Sequence, residues 1–111
     1  MLTPDIELTE NKLILSNNAV KLLNAEYKTR ISIRFILEDE NPVPVIGTVD
    51  IFGDNDGNQL TKQNTVSYRG EQNKYLRNYG TKFAIRQIGS YFRLINVENG
   101  ESSISLDIIN K

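Results

Sequence analysis

The chain of 111 residues contains no cysteine and no histidine. Without Cys there is no disulfide framework and no thiol redox chemistry, although that absence leaves the compartment open. Without His the chain lacks the usual general base near neutral pH and the commonest transition-metal ligand. No run approaches the roughly 18 apolar residues that span a bilayer. Met1 to Glu7 lacks the positive start and apolar stretch of a secretory signal, so a soluble cytoplasmic protein is expected. There is no glycine-rich phosphate loop: Gly47, Gly53 and Gly57 stand singly, at turns and in a strand. Ser67 and Ser90 have no His to activate them, and nothing gathers two carboxylates in an apolar cleft. A protein that is not an enzyme and needs no cofactor is expected.

What the chain does have is a blurred internal repeat. Thr29-Arg30-Ile31-Ser32-Ile33-Arg34-Phe35-Ile36 lies over Thr81-Lys82-Phe83-Ala84-Ile85-Arg86-Gln87-Ile88, with apolar residues alternating with basic or small ones in both. A short helical segment precedes each copy, Asn18 to Asn24 in one and Gln72 to Asn78 in the other. Lys21, Leu22 and Leu23 match Lys74, Tyr75 and Leu76 once one residue is deleted. Before each helix sits a β-like run, Lys12 to Ser16 and Asn64 to Tyr68. The chain therefore reads as two strand–helix–strand–strand units in one domain, residues 6–52 and 60–109.

Along the chain, Ile6 to Ser16 forms two short alternating pieces, and Asn17-Asn18 is a sound helix N-cap. Asn24 can close that helix in the left-handed conformation. Arg30 to Leu37 is the clearest strand, with Ile31, Ile33, Phe35 and Leu37 on one side and Arg30, Ser32 and Arg34 on the other. Glu38 to Pro42 reads as a polar turn and Val43 to Phe52 as the returning strand. Gly53 to Asn58 is the strongest turn signal and divides the units. Leu60 to Tyr68 reads as a strand, Gly80 as a helix C-terminal cap, and Thr81 to Val97 as a hairpin across Gly89-Ser90. Asn99-Gly100 opens a final hairpin into a strand through Ile104, Leu106 and Ile108. The expected fold is mainly β with two short helices, a small pseudo-symmetric barrel whose closure protects its sheet edges.

The stretch Leu15 to Ile33 resembles the AbrB/MazE swapped-hairpin family, whose domains run strand, short helix, tight turn and alternating strand. In that family two units interlock into a barrel, usually from two chains, and the members are known as DNA-binding transcription regulators and antitoxins. Here both units would come from one chain, similar to cradle-loop and double-psi barrels. Two positions depart from the family pattern: Asn17 stands where it has Pro, and Lys28-Thr29 where it has Gly-Asp. Gly80-Thr81 in the second unit comes closer. The resemblance implies a barrel and a DNA-binding role.

Formal net charge is only −1, so no global basic field is present. The distribution is uneven, however. From Arg69 to Arg93 the cations Arg69, Lys74, Arg77, Lys82, Arg86 and Arg93 face only Glu71, among Tyr68, Tyr75, Tyr79, Phe83, Tyr91 and Phe92. Such residues supply phosphate contacts and stacking surfaces. The candidate nucleic-acid contacts are Arg30 and Arg34, their repeat equivalents Lys82 and Arg86, and Arg69, Lys74 and Arg77 at the second helix. The competing reading is a solvated sheet face over a core of aromatics. Asp54, Asp56 and Asn58 around Gly57 hold oxygen ligands, but the calcium-loop spacing fails and an Asp-Gly turn is the better account. Glu38-Asp39-Glu40 is either a solvated loop or a docking edge for a basic partner. Asn and Ile each occur thirteen times, which suits the AT-rich genome of a phage. Two functions are carried forward: a small DNA-binding or transcription-modulating protein, and a structural or adaptor protein, such as a virion accessory or host-enzyme-binding factor, working through protein contacts.

Overall fold

A computed structural model of the chain describes residues 4–53 and 57–97. The expected final hairpin through Asn99-Gly100 and its strand, and Asp54 to Asp56 of the dividing turn, lie outside the described residues. The elements run β1 (Ile6–Leu8), β2 (Lys12–Leu15), α1 (Asn17–Leu22), β3 (Arg30–Glu38), β4 (Asn41–Thr48) and α2 (Val49–Phe52). They continue as β5 (Asn58–Gln59), β6 (Thr65–Ser67), α3 (Gly70–Arg77), β7 (Lys82–Ile88) and β8 (Tyr91–Asn96). One antiparallel sheet orders them β5-β3-β4-β8-β7-β1-β2-β6. Its two edges approach each other, where the Asn58 amide donates to the Ser67 carbonyl at 2.7 Å. The result is a nearly closed, mainly β barrel.

Alternation explains the core. Along the rungs Ile33, Ile46 and Phe92 share the inner face, as do Leu15, Ile6 and Phe83, and Leu8, Leu13 and Val66. Ile6, Leu13, Ile46, Leu60, Val66, Leu76 and Phe83 are all essentially inaccessible, and the core cluster draws on both predicted halves. α3 packs on this inner side: Leu76 enters the core, and Tyr75 and Tyr79 meet the Phe35 ring at 4.6 and 5.6 Å. Asn73, buried at 3% exposure, donates to the carbonyls of Thr9 (3.0 Å) and Tyr68 (2.6 Å). Asp5 ties three elements together, accepting from Asn18 (3.1 Å) and Ser16 (3.4 Å) at the head of α1 and from the Ile85 amide (3.2 Å) of β7.

Several expectations are corrected. There are three short helices among the described residues, because Val49 to Phe52 turns helically where a strand was expected. Its alternating Val49 and Ile51 imitate a strand, but Gly53 at φ 77 closes the turn, its amide donating to the Val49 carbonyl at 2.8 Å. The turn swings Phe52 back over Gly47, where an added Cβ would lie 3.3 Å from the ring. The cap of α1 is Ser16, whose Oγ accepts from the Ala19 amide at 3.0 Å, rather than Asn17-Asn18. Asn24 does lie in the left-handed region, at φ 55. The polar turn is tighter than expected, a two-residue turn at Asp39 (φ 51) and Glu40 (φ 70). Pro42 and Pro44 therefore sit within β4, opposite Leu37 and Phe35. A two-residue turn makes Glu38 and Asn41 the first hydrogen-bonded pair, so both proline nitrogens face away from β3 and cost that ladder nothing. The stretch from Leu60 to Tyr68 is broken by a turn in which Asn64 (φ 62) precedes the short β6.

Removing the buried amide in Asn73→Ala takes its buried donor from the Tyr68 carbonyl and leaves the Thr9 carbonyl to Arg77 alone, and denaturant unfolding should show a loss of about 2 kcal/mol. Ser16→Ala should cost about 1 kcal/mol in the same assay.

Candidate nucleic-acid interface

The register of the sheet decides which cations meet. Arg34 lies opposite Val45, Val45 opposite Arg93, and Arg93 opposite Arg86, so one row crosses β3, β4, β8 and β7. Directly opposed residues point to the same side, the one opposite Ile33, Ile46 and Phe92, and Val45 in the middle of the row is itself fully buried there. Three strand spacings separate the ends of the row, about 14 Å. Arg86 is exposed, whereas Arg34 and Arg93 are half-buried.

Each arginine is held differently. The Arg34 guanidinium lies 5.2 Å from the centroid of the Phe52 ring, and its Nε donates to Ser32 Oγ at 3.3 Å. Phe52 in turn stacks on Tyr91 at 6.1 Å. Arg93 Nη1 meets Glu38 Oε1 at 2.7 Å. Arg86 faces Arg93 across the β7–β8 hairpin with no intervening acid in the row. Like charges directly opposed destabilise a sheet by a few tenths to about 1 kcal/mol. Glu38 offsets the charge of Arg93 within the row.

The other predicted cations are dispersed. Arg30 stands on the outer side at the start of β3, and its Nη1 donates to the Gly57 carbonyl at 3.0 Å. Lys82 is exposed and lies opposite Glu7 of β1, which offsets its charge. Arg69 precedes α3, and Lys74 pairs with Glu71 at 3.9 Å in a fully solvated contact of little energetic weight. Arg77 is a tether: its Nη2 donates to the Thr9 carbonyl (2.8 Å) and to Asn73 Oδ1 (3.2 Å). Because α3 packs against inner-face Phe35, these three do not join the row. Sequence reading left Arg93 out of the site, although a hairpin across Gly89-Ser90 already implied that Arg93 faces Arg86. Phe52 was hidden by the strand reading of Val43 to Phe52.

A cavity of about 280 Å³ lies along the seam, between Ile31 and Ser32 on one side and Leu13, Val66 and Tyr68 on the other. Among the described residues no three acidic side chains gather to hold a metal ion, and no helix is long and apolar enough to cross a membrane. The calcium-loop residues Asp54 and Asp56 are outside the described residues.

Burial pushes the Tyr68 phenol up to about 12. The Tyr79 phenol is raised as well, by burial first and then by the neighbouring Tyr75 hydroxyl. A folded pKa above the unfolded value of 10.0 contributes stability that is whole below pH 10 and is lost as pH climbs through 12. Alkaline unfolding should therefore weaken the wild type by about 2 kcal/mol between those limits, and Tyr68→Phe should show a shallower decline.

No protein-family model, curated protein or solved structure matches this chain.

Proposed function

We propose that this chain is a small, non-enzymatic DNA-binding protein that modulates transcription, contacting duplex phosphates through the outer face of β3, β4, β8 and β7. The observation that carries the reading is the opposed pair Arg86 and Arg93 with Arg34 at the far end of the same row. Two arginines directly opposed in the register are a cost in the free protein, offset for Arg93 by Glu38, and a phosphate bound beside them adds charge-assisted hydrogen bonding. The span of about 14 Å is of the order of the major-groove width, roughly 12 Å. A net charge of −1 over the whole chain keeps non-specific attraction low and leaves the local field to do the work.

The reading takes the units at 6–52 and 60–109 as related by a pseudo-dyad, as in the AbrB/MazE-like domains that the sequence resembles. Three features favour it. Exchanging β1 with β5, β2 with β6, β3 with β7 and β4 with β8 reproduces the cyclic strand order. The alignment of Arg34 with Arg86 agrees with the ladder, since each lies one rung outward from the Val45–Arg93 pair. Leu23 and Leu76, matched by the repeat, are both buried. A dyad through the middle of a basic row suits a duplex, whose strands are themselves two-fold related. A cytoplasmic setting and an AT-rich phage genome complete the proposal.

A second reading, an adaptor acting by protein contacts, is favoured by one feature. Leu37 is 75% exposed and Tyr75 44% exposed, beside the acidic turn at Glu38 to Glu40. A partner with a basic, apolar-tipped surface fits that end of the barrel.

Fluorescence anisotropy of labelled duplex DNA across a salt series separates the readings. Three phosphate contacts give a slope of log K against log salt of about −3. Arg86→Glu should weaken binding at least about 10-fold and flatten the slope by about 1. Glu38→Gln, which releases Arg93, should tighten it several-fold. Absence of binding at low salt would sink the DNA reading and leave the adaptor.

A further inference from the structure

A second basic and aromatic cluster stands apart from the arginine row. Tyr27, in the loop between α1 and β3, is 52% exposed. The ammonium groups of Lys28 and Lys62 lie 5.5 and 5.2 Å from its ring centroid. Tyr75, the other strongly exposed aromatic residue among those described, has its ring engaged by Phe35 and Tyr79. Tyr27 makes no ring contact with another aromatic side chain among the described residues, and its only ring partners there are cations.

The support beneath it is firm. Lys28 N donates to the Leu60 carbonyl at 2.9 Å, and Leu60 N to the Thr29 carbonyl at 2.8 Å. Thr29 Oγ1 accepts from the Glu26 amide at 2.9 Å. On the other loop Thr61 Oγ1 meets Thr65 Oγ1 at 2.7 Å, and the Asn64 amide donates to Asn17 Oδ1 at 3.0 Å. Asn24, Lys28 and Asn64 hold positive φ here, three of the five non-glycine residues that do so among those described. Such conformations are costly outside glycine and gather where a loop must present a side chain in a set place.

We infer that Tyr27, Lys28 and Lys62 form a stacking site for an unpaired nucleobase of single-stranded nucleic acid, with the two lysines taking the flanking phosphates. An exposed cation over a tyrosine is worth about a 2- to 5-fold preference. A base stacked on an aromatic ring is worth about 5- to 150-fold. The base therefore displaces an ammonium group from the ring, and the freed lysine, on a flexible four-carbon stem, reaches the backbone phosphate beside it. Neither step uses Arg34, Arg86 or Arg93. The inference extends nucleic-acid binding to a chemically different site and stands apart from the duplex reading.

The test uses the full chain and a fluorescein-labelled oligothymidylate of about eight nucleotides, followed by anisotropy. Wild type should bind, and Tyr27→Ala should weaken binding at least about 5-fold. Tyr27→Phe, which keeps the ring, should stay within about 2-fold. Lys28→Ala with Lys62→Ala should weaken binding and flatten the salt slope by about 1.4, at about 0.7 for each phosphate contact. Duplex binding by Tyr27→Ala should be unchanged. Failure of wild type to bind the oligothymidylate at low salt would overturn the site, as would a Tyr27→Ala variant that binds like wild type. Arg86→Glu discriminates the two interfaces: it should impair duplex binding alone, so loss of the duplex reading leaves this one standing.

Discussion

The sheet is held together at its middle by a ladder two residue pairs long, Val45 with Arg93 and Ile46 with Phe92. On one side of it stand β5, β3 and β4, and on the other β8, β7, β1, β2 and β6. The proline pair of β4 accounts for its brevity. Pro42 and Pro44 keep their ladder to β3, where no proline N–H is needed, and cannot donate toward β8. Backbone pairing at the junction is thus minimal, and side chains supply the rest. Ile46 is fully buried, Phe92 is 6% exposed, and the Tyr79 hydroxyl reaches the Pro42 carbonyl at 3.0 Å. The same register sets Arg93 between Arg34 and Arg86. A shift of one residue would turn Arg93 inward and Phe92 outward, so core and charged face are fixed by one constraint.

Much of this was legible in the residues. Ile31 to Glu38 and Phe83 to Ile88 alternate cleanly, and each hairpin carries its own turn signal, so strands and facing could be read with little ambiguity. Both longer helices were found from short apolar spacing and from Asn24 and Gly80 beyond their ends. What misled was local mimicry. Val49 to Phe52 alternates like a strand but is drawn into a helical turn by burial of Phe52 over Gly47, a contact across strands that no short window contains. Pro42 reads as the end of pairing unless the two-residue turn, and so the parity of β4, is already known. Asp39 and Glu40 gave no warning of that turn, because positive φ usually calls for Gly or Asn.

The candidate site was legible only in part, and the reason is geometric. Sequence gave the repeat equivalence of Arg34 and Arg86 but not the sheet order, which alone places β4 and β8 between them. It grouped Arg77 with the surface cations, whereas a long side chain next to two carbonyl-rich loops has a structural use: Arg77 closes the Thr9 turn onto α3. It passed over Tyr27, because an isolated aromatic beside one lysine carries little signal until folding brings Lys62 from thirty-five residues away. Charge counts along a chain are a poor guide where cations are divided among a tether, an ion pair and two separate faces.

The seam between β5 and β6 has a consequence of its own. Around the rest of the barrel, neighbouring strands are zipped by backbone ladders that open only when several bonds part together. At the seam β5 and β6 are joined by the short loop 60–64, where the Thr61 amide donates to the Thr65 carbonyl at 2.9 Å, and by the bond from the Asn58 side chain to the Ser67 carbonyl. One such bond is worth about 1 kcal/mol, well below the stability of a small domain. The barrel is thus stitched at this meridian by a short loop and single hydrogen bonds in place of a strand ladder, while its arginine-bearing wall lies on the opposite arc.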